Sequence, residues 1–470
     1  MATNLAVYPT RRCNDPLHQT GTTVANAGER APLPSTMTTL ANEINHYLER
    51  LFPVPRSITG LGNRETLSVL QELAPLNVLD YPSGSPVFDW VIPDEWRVRE
   101  AWIKDAAGRT IVDFEQCNLH LVSYSEAVSG SFNIDDLRCH LHTHTALPDA
   151  IPYRTTYYNR NWGFCVNQAQ MEALETADGP LEVFIDSELD PKGSLTVGEL
   201  LIPGELDEEI LVSTYICHPS LANDNLSGMV MTAFLARHLL NQFQPKRSYR
   251  FVWLPETIGA IAYCAMNEEA MSRIRSGLVV TSVGGPGPFG YKQSHDSSHS
   301  INTIIEEIFN EEGLDFVTYP FDIHGSDERQ YSSQRFGINT ASITKDKYYE
   351  YPYYHTSLDN LDFVQAEDIL SSLHLYQKVI KSLDSEPVYK NVQPNCEVML
   401  SKHGLYPGTG AAQVPGIGEL ADLDLILWLL WLCDGKRGLY GIANRLKVPI
   451  DHLLQVLEIL ESKRLVERVL

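Results

Sequence analysis

Beyond Pro180, short and almost wholly apolar runs alternate with amphipathic stretches. Ile210–Ile216, Tyr249–Leu254, Leu278–Thr281 and Ala341–Ile343 are too continuously apolar for a half-exposed surface, so they read as buried strands. Between them, Ser227–Leu240, Ala260–Arg273, Ile301–Glu312 and Ala366–Leu383 repeat apolar residues at helical spacing. Buried strands separated by helices predict an α/β fold, a mostly parallel sheet with helices on both faces. Such sheets bind ligands beyond the carboxyl ends of their strands, so the polar residues that follow these runs are the candidates for chemistry.

The rest of the chain has a different texture. Leu40–Leu51 and Glu65–Leu73 are helical patterns, the second with Leu67, Val69, Leu70 and Leu73 on one stripe. Over 83–148 the chain breaks into β-prone pieces such as Trp102–Lys104 and Thr110–Val112, which predicts an inserted small β-rich domain. The α/β domain is then expected to comprise 37–82 and 149–390. Residues 1–36 are expected to form a flexible tail. A Pro- and Gly-rich stretch near Tyr406–Gly418 precedes three helical patterns, Asp422–Cys433, Leu439–Leu446 and Ile450–Lys463, and a strand-like Leu465–Val469. That order is a winged helix, so 391–470 is expected to be a linker and a winged-helix domain.

Charge narrows the partners. With 36 basic and 60 acidic side chains the net charge is −24, which disfavours nucleic acid and anionic membranes as partners of the whole chain. Residues 421–470 hold seven acids and seven bases, so the terminal unit has no basic footprint and is expected to serve packing or a homo-oligomer. The eight cysteines are scattered without a CxxC pair, and no apolar run spans a bilayer or resembles a signal peptide. A cytoplasmic location is the expectation.

The segment Tyr215-Ile-Cys-His-Pro-Ser-Leu-Ala-Asn-Asp-Asn-Leu-Ser-Gly228 places His218 just after a buried strand and Asp224 just before a helix. Imidazole and carboxylate donors on rigid elements suit zinc, although Asp224 or Asn225 could equally cap that helix. Glu256, in Trp253-Leu-Pro-Glu-Thr-Ile-Gly259, ends the next strand with a carboxylate, placed to accept a proton from an activated water or simply to face solvent. Asp327 and Arg329 follow in His324-Gly-Ser-Asp-Glu-Arg-Gln-Tyr331, and His355 lies in Tyr353-Tyr-His-Thr-Ser-Leu-Asp-Asn360. Cys217 adjoins His218, but neighbouring strand residues face opposite ways, which argues against a Cys–His nucleophile.

The order of these segments resembles the zinc aminopeptidases that use paired metals, whose relatives include glutaminyl cyclases. His218 matches the first ligand, Asp224 in D-N-x-S-G the bridging aspartate, His355 in Y-H-x-x-x-D the last ligand, and Glu256 the catalytic glutamate. More closely, residues 40–470 resemble bacterial aminopeptidase-like proteins with an inserted β module and a C-terminal winged helix, which often accompany polysaccharide or natural-product biosynthesis. Phe88–Pro93, Ala150–Tyr153, Trp162–Cys165 and Pro255–Gly259 carry that likeness. The resemblance implies a zinc-exopeptidase-like sheet.

Three departures bear on the metal. Pro219 and Ser220 follow His218 where the family has His-x-Asp, Thr257 replaces a ligating glutamate, and Thr281–Gly284 holds no carboxylate. One zinc is therefore expected, held by His218, Asp224 and His355 with water as the fourth ligand. Asp327 could be an extra ligand, orient a histidine or bind a substrate amine. Arg329 could clamp a substrate carboxylate or pair with a neighbouring acid. Tyr348, Tyr349, Tyr351, Tyr353 and Tyr354 could line the pocket, one of them stabilising an oxyanion, or be packing residues. The expected activity is hydrolysis of an amide in a small peptide or aminoacyl-type metabolite. Acyl transfer or cyclisation on the same zinc, and a non-catalytic binding or regulatory protein, are the alternatives.

Overall fold

Tyr215 and Leu254 lie opposite one another as the last residues of two neighbouring parallel strands, Leu206–Tyr215 and Arg247–Leu254. The computed structural model describes residues 35–406 and 422–469. Residues 41–470 form one unit, to which the following description applies; the tail expected over 1–36 lies outside the described residues except for the start of helix Ser35–Leu51.

The principal sheet has eight strands in the order Asn77–Pro82, Ser194–Ile202, Arg247–Leu254, Leu206–Tyr215, Ile274–Val279, Asn339–Lys345, Phe289–Lys292 and Phe316–Tyr319. Its central pairings are parallel, while Asn77–Pro82, Ser194–Ile202 and Phe289–Lys292 enter antiparallel. Every residue of Arg247–Leu254 is buried, as a strand covered on both faces requires. Gly228–Gln242 and Ala366–Ser385 pack together over the face that carries Tyr249 and Trp253, and Ile258–Met266 covers the face of Arg250, Val252 and Leu254; Ala366–Ser385 buries Ile369, Leu373, Tyr376, Val379 and Ile380 at helical spacing.

The inserted antiparallel sheet runs Thr110–Asp113, Glu95–Lys104, Leu181–Asp190, Val128–Phe132. The segment 83–148 thus supplies three of its strands. Leu181–Asp190, which the sequence pattern placed in the α/β domain, is the fourth, so this sheet is not confined to 83–148. Its buried residues alternate (Leu181, Val183, Ile185, Ser187), the mark of an antiparallel strand with one wetted face.

The C-terminal winged helix contains Asp422–Leu432, Leu439–Leu446 and Ile450–Ser462 around Leu425, Leu429, Leu453, Leu457 and Leu460. Its small sheet pairs Val388–Asn391 with Asp434–Gly438 and Val466–Arg468, so the domain begins before the linker expected from 391 onward. Most of the Tyr406–Gly418 stretch lies outside the described residues. Helix Leu439–Leu446 packs on Ser300–Glu311 of the α/β domain. No described helix is long and apolar enough to cross a membrane.

Candidate metal centre

The level ends of the two central strands bring the segments after Tyr215 and Leu254 together, and Ile216 N–H donates to Leu254 O at 2.9 Å. Within this junction, ligand atoms of His218, Asp224 and His355 all lie within 4.8 Å of one another. His355 Nε2 is 3.0 Å from Asp224 Oδ2, yet both atoms are buried without a hydrogen-bond partner. Two orphaned donors converging on one point would be costly in a closed site, and a shared cation removes that cost. The donor set of two imidazoles and a carboxylate is one that zinc accepts.

Local structure explains how these side chains are held. Asp359 Oδ1 accepts from Asn223 N–H at 2.7 Å and Oδ2 from Asp224 N–H at 3.0 Å, pinning the turn that carries Asp224. The Tyr215 hydroxyl lies between Asp224 Oδ1, to which it donates, and Thr281 Oγ1 at 2.6 Å. One oxygen of Asp224 is therefore spoken for and only Oδ2 faces the histidines. His218 is fixed from behind: Arg56 Nε donates to its carbonyl at 2.9 Å, and Cys217 Sγ lies 3.4 Å from its Nδ1, leaving Nε2 toward the cluster. His355 adopts φ +56°, and its ring stacks on Tyr354 at 3.9 Å. Its carbonyl accepts from Tyr153 N–H at 2.8 Å.

Burial presses the His218 imidazole down to about 4, so it is neutral, the state a metal ligand needs. Burial opposes ionisation of Asp224, yet the facing imidazoles and the Tyr215 hydroxyl hold it at about 2. Glu256 Oε2 lies 3.9 Å from His218 Nε2, and Glu256 Oε1 accepts from Ser326 Oγ at 2.8 Å. Burial, reinforced by the negative charge of Asp224, raises Glu256 to about 7.

The remaining sequence candidates fall around this group. Asp327 accepts from Thr257 N–H at 2.7 Å rather than from a histidine, and so steadies the turn after Glu256, where Thr257 has φ +64°. Burial and the neighbouring Glu256 carboxylate push Asp327 well above the usual carboxylate range. Arg329 is exposed and donates to Ile323 O and Thr257 Oγ1, both at 3.3 Å, and makes no ion pair with an acid among the described residues. Tyr354 backs the His355 ring. Of the other tyrosines in that run, Tyr348 bonds Glu328 and Tyr351 bonds Asp359, while Tyr349 is exposed.

The cavity beside the cluster, about 460 Å³, is instead faced by Tyr153, Tyr157, Tyr158, Trp90 and Arg154. The Tyr153 and Tyr157 hydroxyls are 2.7 Å apart, and Trp90 meets Tyr158 edge-on at 5.4 Å. Trp90, Tyr153, Tyr215 and Asp359 lie in segments already singled out, but their roles, and those of Tyr157, Tyr158, Arg154 and Arg56, were not assigned from the sequence. The nearest signal for Tyr215 was a tyrosine inside an apolar strand end, whose hydroxyl must find a partner. Cys217 also differs from expectation: the strand ends at Tyr215, so strand alternation does not apply beyond it, and Cys217 Sγ comes within 3.4 Å of His218 Nδ1. The thiol is nevertheless buried and pushed up by that burial, which leaves it unreactive.

The family model of the domain of unknown function DUF4910 matches residues 45–386, well over half of the chain. The chain belongs to this family. A winged helix-turn-helix model matches residues 387–468. A Clostridium acetobutylicum relative, named a polysaccharide biosynthesis protein with aminopeptidase-like domain, is 39% identical over 421 residues, covering 88% of this chain and 95% of the relative. A crystal structure of a C. acetobutylicum protein described as a peptidase aligns with TM-score 0.75 and 36% identity, over 92% of this chain and 98% of that one. The zinc aminopeptidase of Bacillus subtilis shares the fold, at TM-score 0.54 and 13% identity over 75% of this chain and 96% of its own. This DUF4910 member is thus an aminopeptidase-like α/β protein with a winged helix at its C-terminus.

Proposed function

We propose that the chain is a single-zinc hydrolase that cleaves an amide in a small peptide or aminoacyl-type metabolite. The observation that carries this reading is the convergence of His218, Asp224 and His355, with orphaned atoms facing one another and Glu256 alongside. When bound, zinc supplies Lewis acidity that polarises a carbonyl and acidifies water. Glu256 takes the water proton and passes it to the departing nitrogen, a role suited to a carboxyl that burial brings near neutrality. Ser326 holds one oxygen of Glu256 so that the other faces the reacting centre. Asp327, through Thr257 N–H, keeps that turn in place. Tyr153, Tyr157, Tyr158 and Trp90 give the substrate an amphipathic wall, and Arg154 gives it one cation.

Occupation of Asp224 Oδ1 by Tyr215 and replacement of a ligating glutamate by Thr257 support one ion rather than two. The name of the Clostridium relative supports a biosynthetic setting. The test is zinc content together with turnover of dipeptides and acyl-amino acids by wild type and Glu256→Gln. Full activity in Glu256→Gln would remove the proposed base. Product mass separates hydrolysis from cyclisation, since the first adds water and the second loses water or ammonia. A chain purified without chelator yet carrying no zinc would favour a non-catalytic role.

A further inference from the structure

A second cavity, about 260 Å³, lies where the winged helix meets the α/β domain. Glu208, Ile210, Arg247, Arg275 and Ser276 face it from the amino-terminal parts of the central strands, so it sits at the end of the sheet remote from His218. Arg275 comes from the α/β domain, and Lys436, Arg437 and Arg445 come from the winged helix. None of these four makes a side-chain ion pair or hydrogen bond among the described residues.

The carboxylates that share the cavity are already engaged. Glu208 lies 3.6 Å from Arg247 Nε, and Asp434 Oδ1 accepts the backbone N–H groups of Lys436 and Arg437, both at 2.8 Å. Asp296 Oδ1 accepts from Ser298 N–H at 2.9 Å and Ser298 Oγ at 2.7 Å. Glu386 is 5% exposed and accepts from Tyr440 N–H at 3.2 Å. The helices Ser300–Glu311 and Leu439–Leu446 also begin at this cavity, and their first turns add partial positive charge. Five cationic and four carboxyl side chains thus line this concave site, and burial favours the neutral form of Glu386, so a local positive excess remains in a chain of net charge −24, and it attracts a small anion.

We propose that this cavity binds a small phosphate-bearing molecule, clasped between the two domains. Guanidinium groups match phosphate oxygens in geometry as well as charge. The volume admits a phosphate with a small organic remainder and falls below the roughly 300–1,000 Å³ typical of pockets for drug-sized ligands. A concave site of this size takes a small anion, whereas a nucleic-acid duplex needs an open basic face. The proposal stands apart from the metal centre and does not depend on it.

The test uses the full chain, freed of metal with chelator so that the first site cannot take up the anion. Inorganic phosphate and pyrophosphate are titrated calorimetrically in a low-salt, phosphate-free buffer. Saturable binding at one site per chain is expected, weakened by added chloride and by about tenfold or more in Arg437→Gln/Arg445→Gln. Should that variant lose its circular-dichroism spectrum, Arg275→Gln, on the other wall, must show the same loss. No saturation by about 10 mM of either anion would overturn the proposal. Equal affinity in folded variants and wild type would also overturn it. So would tight binding of duplex DNA that the same substitutions abolish, because the cations would then be a nucleic-acid footprint.

Discussion

The Tyr215 hydroxyl donates to Oδ1 of Asp224, and that contact decides which oxygen of the carboxylate is left for a metal. A carboxylate that bridges two ions with one oxygen on each needs both oxygens free; here one is capped by a phenol that also contacts Thr281. Wild-type chain is therefore expected to take up one equivalent of zinc. Tyr215→Phe leaves Oδ1 buried without a partner, which costs about 1–3 kcal/mol of stability. It should also weaken zinc binding about tenfold, the usual effect of losing a group that orients a ligand. Elemental analysis gives the stoichiometry, chelator competition the affinity and urea unfolding the stability, and two equivalents in wild type would contradict the single-ion reading.

Glu256 sets the expected pH dependence. Burial raises its carboxyl to about 7, so it is protonated, and useless as a base, on the acid side of that value. A bound dication nearby favours the carboxylate and moves the transition downward. The rate at low substrate concentration should rise with pH along a limb centred at or below pH 7. Glu256→Gln should lose at least about a hundredfold in kcat and show no such limb in any residual rate, while keeping its zinc. Loss of zinc in the variant would mean that Glu256 is a ligand instead.

Arg56 is buried, and burial lowers its guanidinium to about 10. Nε donates to His218 O at 2.9 Å, and Nη1 donates to Leu51 O. Arg56→Met keeps much of the volume but strands two buried carbonyls, so a destabilisation of about 2–4 kcal/mol is expected in urea unfolding. Zinc affinity should fall alongside it, because the His218 segment loses its rear support. Unchanged affinity with lowered stability would limit Arg56 to a packing role.

The parallel core was readable because strands such as Arg247–Leu254 are buried at every position and carry an apolar run, here Phe251–Leu254, beside their few paired polar residues. Leu181–Asp190 was harder: its alternation marks a strand but does not say which of two sheets it joins. The metal-ligand candidates stood out because His and Asp after buried strands are conspicuous residue types in conspicuous places. The groups that hold them were not conspicuous. Arg56 precedes His218 by 162 residues, and Asp359 follows Asp224 by 135, so only the folded chain brings them together. For the tyrosine run 348–354 the sequence left pocket and packing open, for a related reason. Tyrosines serve packing and pockets alike, and the pocket wall is formed by Tyr153–Tyr158, opposite His355.

Glu386 carries a prediction about stability that is independent of catalysis. It is buried where the winged helix meets the α/β domain, and burial raises its carboxyl from 4.5 to about 7, despite the opposing charge of Arg247. A carboxyl with a raised folded-state value binds its proton more tightly folded than unfolded. Its contribution is therefore complete below about pH 4.5 and is lost as pH rises through about 7. The difference amounts to about 3 kcal/mol at most, and Glu386→Gln, which cannot ionise, should abolish it. In urea unfolding the variant should gain on wild type as pH is raised from 5 to 8, by roughly 1–3 kcal/mol. Parallel pH profiles for the two proteins would mean that Glu386 stays ionised in the folded chain, held by Arg247 more strongly than burial opposes it.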